Sequence, residues 1–123
     1  MKSVSGWIKT LIVAVTGTAS FGASSQATSL WCGGTLSNLW VDHAGNAYVF
    51  TSWRSDYVRV CNVNENLGAI TPTLCLTWVS LLKSAVQRKA TTTIYYNGSL
   101  PATCAQMPTY SNSPIPYYVM LQD

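Results

Sequence analysis

The stretch Thr71–Ala90 limits what this chain can fold into more than any other. Leu74, Cys75, Trp78, Leu81, Leu82, Ala85 and Val86 recur at the spacing that lays side chains along one face of an α-helix. Thr71 followed by Pro72 suits an N-cap and a first helical residue, because a helix start has no use for the N–H that proline lacks. Thr73 competes for the cap. Arg88 and Lys89 fall in the last turn, where the helix dipole favours cations. The β-branched run Thr91-Thr92-Thr93-Ile94 then prefers strand and ends the helix. Past the N-terminal segment this is the only convincing helix.

Residues 1–27 read as a secretory signal peptide rather than as part of the fold. Lys2 and Lys9 give a positive start, Leu11-Ile12-Val13-Ala14-Val15 an apolar core, and Ser25-Gln26-Ala27 small residues at the positions that signal peptidase reads. Cleavage is expected after about Ala27, and the protein is expected to be secreted or periplasmic. The apolar run is too short for stable membrane insertion. Cys32 does not suit lipoprotein acylation, since Trp31 stands where a small residue is wanted.

The formal charge of +3 owes much to that segment. Without Lys2 and Lys9, the cations Arg54, Arg59, Lys83, Arg88 and Lys89 face Asp42, Asp56, Glu65 and Asp123, leaving about +1. That balance gives no warrant for nucleic acid or an anionic membrane as partner. The remaining residues, 28–123, make one domain with a small core. Charged residues are only 9% of the chain, against about 25% in an average domain. Hydroxyls, amides and rings replace them, as suits a surface that binds sugars or neighbouring proteins.

Four cysteines in a small exported chain read as two disulfides. Three pairings are possible. The favoured one joins Cys61 to Cys75, from strand end to helix start, and Cys32 to Cys104, from the N-terminus to a late loop. The chain has no CxxC or CxxH pair to hold a metal, and no cofactor is expected.

Thr35–Val41, Ala47–Trp53 and Tyr57–Val63 read as three strands joined by the short turns Asp42–Asn46 and Arg54–Asp56, hence an antiparallel meander. After the helix, Thr91–Tyr96 is a fourth strand, stopped by the turn signal Asn97-Gly98. Asn97-Gly98-Ser99 also fits a glycosylation sequon, and the turn reading is preferred. Ser99–Pro116 holds Pro101, Cys104, Pro108, Pro114 and Pro116 and reads as a long ordered loop. Tyr117–Leu121 is the last strand. Five strands with a helix between the third and fourth is the order of an OB-fold-like barrel, disulfide-stapled, with the helix over one open end. An α+β sheet with the helix across one face has the same order.

Several residues together carry a family resemblance: Cys61 at a strand end, the helix Cys75-Leu76-Thr77-Trp78-Val79-Ser80-Leu81-Leu82-Lys83-Ser84-Ala85, Thr93-Ile94-Tyr95-Tyr96, and the closing Pro116-Tyr117-Tyr118-Val119-Met120-Leu121. Over roughly residues 57–121 the chain resembles the small secreted bacterial proteins related to the B subunits of subtilase cytotoxin and typhoid toxin. The resemblance implies an OB-fold, a ring-shaped homopentamer, recognition of host glycans, and an exported toxin A subunit as a possible partner. It carries over no sugar-contacting residue by number.

No catalytic set is present. His43, the only histidine, follows Asp42 directly, where the carboxylate is badly placed to orient the ring. Asp56 and Glu65 are not brought together by the sequence for glycoside chemistry. The chain is therefore expected to be non-enzymatic. Rings are too numerous for the core alone, so some face a ligand or an interface. Trp53 and Arg54 are the best ligand-binding pair. His43 and Tyr110 join them from the loops Asp42–Asn46 and Gly98–Ser113, since OB-folds commonly bind through such loops. The helix's other face, with Thr77, Ser80, Ser84 and Gln87 and only Lys83 as an early charge, is expected to be an oligomer interface. In toxin B pentamers the helices line the channel, so the resemblance places that face inward. A periplasmic or cell-surface interaction domain without a small ligand is the rival function.

Overall fold

A computed structural model describes residues 26–122. The signal-peptide reading falls almost wholly on residues 1–25, outside the described residues. Of its last two residues, Ala27 already belongs to a strand, paired with Leu100.

The chain forms β1 (Ala27–Gly34), β2 (Leu36–Val41), β3 (Asn46–Thr51), β4 (Asp56–Asn62), α1 (Pro72–Arg88), β5 (Thr91–Leu100) and β6 (Tyr118–Gln122). It is mainly β with one helix, as expected, but it is not a single five-stranded barrel. The six strands make two three-stranded antiparallel sheets, ordered β1-β5-β6 and β2-β3-β4. The extra strand lies where the sequence shows little apolar bulk. Its second half nevertheless alternates: Cys32 is 1% exposed and its neighbour Trp31 61%, as a pleated strand with one buried face requires.

The hinge between the sheets is Thr35. Its N–H donates to Ser52 Oγ (3.0 Å) and its carbonyl accepts from Ser52 N–H (3.0 Å). Thr35 thus spends its backbone on the β3–β4 turn rather than on a ladder. Gly34 permits this approach, because a Cβ there would collide with Ser52 Oγ.

The Asn97-Gly98 signal is also overridden. β5 runs through it to Leu100, because β1 supplies ladder partners there, with a register shift between Ala27 and Ser29. Trp53, expected at a strand end, lies in the turn after β3.

Between the sheets and the helix lies one core. The meander contributes Val49, Val58 and Val60, the second sheet Cys32, Ile94 and Tyr96, and the helix Cys75, Trp78, Leu82 and Ala85. Thr71 settles the cap question: its Oγ1 accepts from Leu74 N–H at 3.2 Å. Lys89, left-handed at φ 53°, closes the other end, with Lys89 and Ala90 N–H groups donating to Val86 and Ala85 carbonyls. Leu74, assigned to the buried stripe, is exposed instead, and Leu81 and Val86 are half-buried.

The proline-rich segment is ordered by its contacts. Cys104 joins Cys32, Met107 is fully buried, and Tyr110 N–H donates to the Tyr57 carbonyl at 3.0 Å. Arg59 N–H donates to Ser113 Oγ at 3.0 Å. The segment thereby covers the outer edge of β4, an edge that would otherwise offer bare backbone groups.

The second disulfide joins Cys61 to Cys75. The two bridges span 72 and 14 residues. Chain-entropy arguments make removal of Cys32–Cys104 cost about 4 kcal/mol and of Cys61–Cys75 about 3 kcal/mol. Denaturant unfolding of the two double-alanine variants should place both below the parent, with the Cys32/Cys104 pair lower. The opposite order would show that packing strain, not loop closure, sets the balance.

Candidate functional site

The strand register of the β1-β5-β6 sheet decides where the exposed rings go. Trp31 pairs with Tyr95, and Tyr95 with Tyr118, so the three lie in one row on the outer face. Their ring centroids are 4.7 Å (Trp31–Tyr95) and 5.0 Å (Tyr95–Tyr118) apart, each pair stacked at 30°. That is close to the spacing of neighbouring strands. Trp31 Nε1–H donates to the Tyr118 hydroxyl at 3.2 Å, and Ser29 Oγ and the Tyr95 hydroxyl share a hydrogen bond of 3.1 Å. Tyr117 continues the row: its N–H donates to the Tyr95 carbonyl at 2.7 Å, its ring meets Tyr95 edge-on at 5.7 Å, and it is 64% exposed. The result is an aromatic surface edged with hydroxyls. A sugar ring presents the matching pair of features, a face of C–H groups and a rim of O–H groups.

The other sheet carries rings too, but packs them differently. Trp40 stacks on Tyr48 at 4.4 Å, while Tyr57 meets Trp40, Phe50 and Tyr110 at 5.5–5.9 Å. Tyr48 is buried, and the 110–113 segment lies over this group. Nearby, Arg59 donates from Nη1 to Asn46 Oδ1 (3.3 Å) and from Nη2 to the Ser111 carbonyl (3.2 Å). These rings hold a loop down on a sheet and leave only Trp40 and Tyr110 substantially exposed. Desolvation, then the charge and hydrogen bond of the Asp56 carboxylate and the nearby Tyr57, push the Tyr110 hydroxyl up from its ordinary value.

The four residues expected to bind a ligand are not brought together. His43 is exposed in the β2–β3 turn, whereas Trp53 and Arg54 lie in the β3–β4 turn at the other end of β3. Six strand residues separate them, roughly 20 Å. Trp53 packs against the core and meets Tyr96 edge-on at 6.3 Å, with Nε1 buried and unpartnered among the described residues. Arg54 Nε–H donates to the Met107 carbonyl at 2.6 Å. That pair fastens the late loop to the core. Tyr110 sits beside β4, bridged to Val58. Asp56 and Glu65 flank opposite ends of β4.

On the helix, Thr77, Ser80 and Gln87 are exposed and Ser84 is half-buried. Thr73, Leu76, Thr77, Ser80, Leu81 and Ser84 line a shallow surface hollow of about 700 Å³. Thr77 Oγ1–H donates within the helix to the Thr73 carbonyl at 3.4 Å. The sequence reading missed Leu76, which is 59% exposed. It also missed the Trp31–Tyr95–Tyr118 row, since the pairing that aligns those rings needs β1.

Comparison of the chain with protein-family models, curated proteins and solved structures found no match.

The turn that carries His43 has its own electrostatics. Asp42 Oδ1 accepts from Ala44 and Asn46 N–H groups, each at 2.9 Å, and Oδ2 from Asn46 Nδ2 at 3.3 Å. Desolvation pushes this carboxyl up, but the hydrogen bonds from Asn46 and Ala44, with the charge of His43, outweigh it and hold it below its ordinary value. A carboxyl depressed in the folded state stabilises fully above its unfolded pKa, about 4, and loses that contribution as pH falls through the lower folded value. Asp42→Ala should therefore be less stable than the parent at about pH 6, with the gap closing below about pH 4. Denaturation midpoints across that range test this; a constant gap would contradict it.

Proposed function

We propose that this protein is an exported, non-enzymatic glycan-binding subunit whose sugar site is the Trp31–Tyr95–Tyr118 row. The observation that carries the reading is the row itself. Trp31 and Tyr117 hold large ring surfaces out to solvent, and the hydroxyls of Ser29, Tyr95 and Tyr118 lie around them. Rings of this kind are interaction surfaces, because they combine apolar area with few rotatable bonds. Two disulfides suit an oxidising compartment, which supports a secreted or periplasmic location. No helix among the described residues is long and apolar enough to cross a membrane.

The resemblance to toxin B subunits supplies the finer expectations: an OB-like connectivity, a homopentameric ring, host glycans and a toxin A subunit. The connectivity is supported by two pairings. The successive strands β1 and β2 join one sheet to β5 and the other to β3. The isolated parallel bridge between Val58 and Tyr110 adds the late loop to the free edge of β4. The ring is supported by the helix face, where hydroxyls and Leu76 replace the charges of a solvated helix. That same face supports the second reading, an interaction domain with no small ligand.

A glycan array with the exported form tests the first reading. Binding is expected, and Trp31→Ala should weaken it by about tenfold or more, while Trp40→Ala leaves it unchanged. Intact protein that binds nothing above background would remove the glycan reading. Light scattering after size exclusion tests assembly. A ring is expected at micromolar concentration, weakened by Ser80→Glu and not by Asn66→Glu; a stable monomer would remove it.

A further inference from the structure

The ring row does not end at Tyr117. The same side chain forms one wall of a cavity of about 350 Å³ that opens beside the row. Ile70, Leu74, Trp78, Ile115 and Tyr117 make it apolar, and Asn97 adds an amide. Asn97 pairs with Ser29, whose hydroxyl meets that of Tyr95. The cavity and the row therefore share residues of one continuous surface.

The cavity is preformed. Its Leu67–Ile70 wall is a tight turn closed by two backbone hydrogen bonds, Leu67 N–H to the Ile70 carbonyl and the reverse, both 3.0 Å. Gly68 suits that turn. It is left-handed at φ 60°, and a Cβ would come within 2.9 Å of Ile115 Cδ1. The opposite wall is fixed by the Tyr117–Tyr95 backbone bond. Trp78, almost wholly buried, contributes from the helix. Leu74 and Ile115 remain 39% and 42% exposed, so apolar surface is held open in a rigid concave site, as small-ligand sites commonly are.

We propose that this cavity receives the alkyl part of a glycolipid-type glycoside whose sugar lies on the Trp31–Tyr95–Tyr118 row. The inference rests on the sugar reading of that row. Continuity through Tyr117 and Asn97 puts the aglycone of a stacked sugar at the cavity mouth. The lining points to the chemistry: mostly apolar walls, with Asn97 as the one amide side chain, suit a chain of methylenes better than further hydroxylated sugars. An acetamido methyl alone would leave most of the volume unfilled.

The test uses matched methyl and n-octyl glycosides of glucose, galactose and N-acetylglucosamine, below micelle formation, read by calorimetry and by NOEs from the Ile115 methyls. Each buried methylene is worth roughly fourfold, so the octyl member of a binding pair should bind at least about tenfold tighter than the methyl member. Leu74→Glu should bring octyl affinity down to the methyl level and leave methyl affinity unchanged. That variant keeps the helix start, since Thr71 with a glutamate three residues on is a capping box. Trp31→Ala should weaken both members. Methyl and octyl members binding equally would overturn the alkyl site while the sugar row stands. Octyl binding that survives Trp31→Ala undiminished would overturn the shared site. A panel with no binding at all would overturn row and cavity together.

Discussion

Residues 27–41 take part in both ladders, through β1 with β5 and through β2 with β3, and the late segment ties the same two sheets a second time, Tyr110 N–H donating to the Tyr57 carbonyl and Tyr117 N–H to the Tyr95 carbonyl. The switch takes place at Thr35, whose backbone is tied to Ser52. With the sheets turned about this point, their inner faces meet the helix and form one core. Of the outer faces, that of β2-β3-β4 lies partly under the late loop, while Trp31 and Tyr117 leave that of β1-β5-β6 open to solvent. Cys32 sits on the inner face of this same segment and anchors the late loop through Cys104. The loop in turn covers β4 and is held by Arg54 and Arg59.

A domain this small cannot bury all its rings, and the two sheets handle the surplus in different ways. On β2-β3-β4 the rings pack mutually beneath the loop, Tyr57 T-shaped against Trp40 and Phe50 and tilted against Tyr110. Such pairs contribute roughly 0.5–1.5 kcal/mol each beyond their buried area. On β1-β5-β6 nothing in the described chain lies over Trp31 or Tyr117. Folding gains less from those two rings than it would from burying them. The uncovered row is therefore where a binding function is best looked for.

The helix was legible because a threonine cap, the apolar period and the terminal cations agree on one segment, although the cap lay open between Thr71 and Thr73 and Leu74 turned out exposed. The meander was legible for a similar reason, with turn residues at both ends of an aromatic strand. β1 was not, since Ala27, Gly33 and Gly34 are poor strand formers, and Ala27 reads as the end of the signal segment. That omission spread. Without β1, Asn97-Gly98 reads as the end of β5, and Trp31 has no reason to meet Tyr95. Trp53-Arg54 looked like a ligand pair because both residues are functional types at a strand end. Their partners, Tyr96 and the Met107 carbonyl, are 43 and 53 positions away, a distance over which local pattern carries no information.

The proposed ligand surface is the Trp31 row, not the Trp53 turn or the helix. The most direct measurement follows the indole N–H signals of the ¹⁵N-labelled protein during titration with a mixed pool of released cell-surface glycans. A ligand on the row should shift the Trp31 signal progressively and leave Trp53 and Trp78 unmoved. Shifts confined to Trp53 or Trp78, with Trp31 stationary, would contradict it.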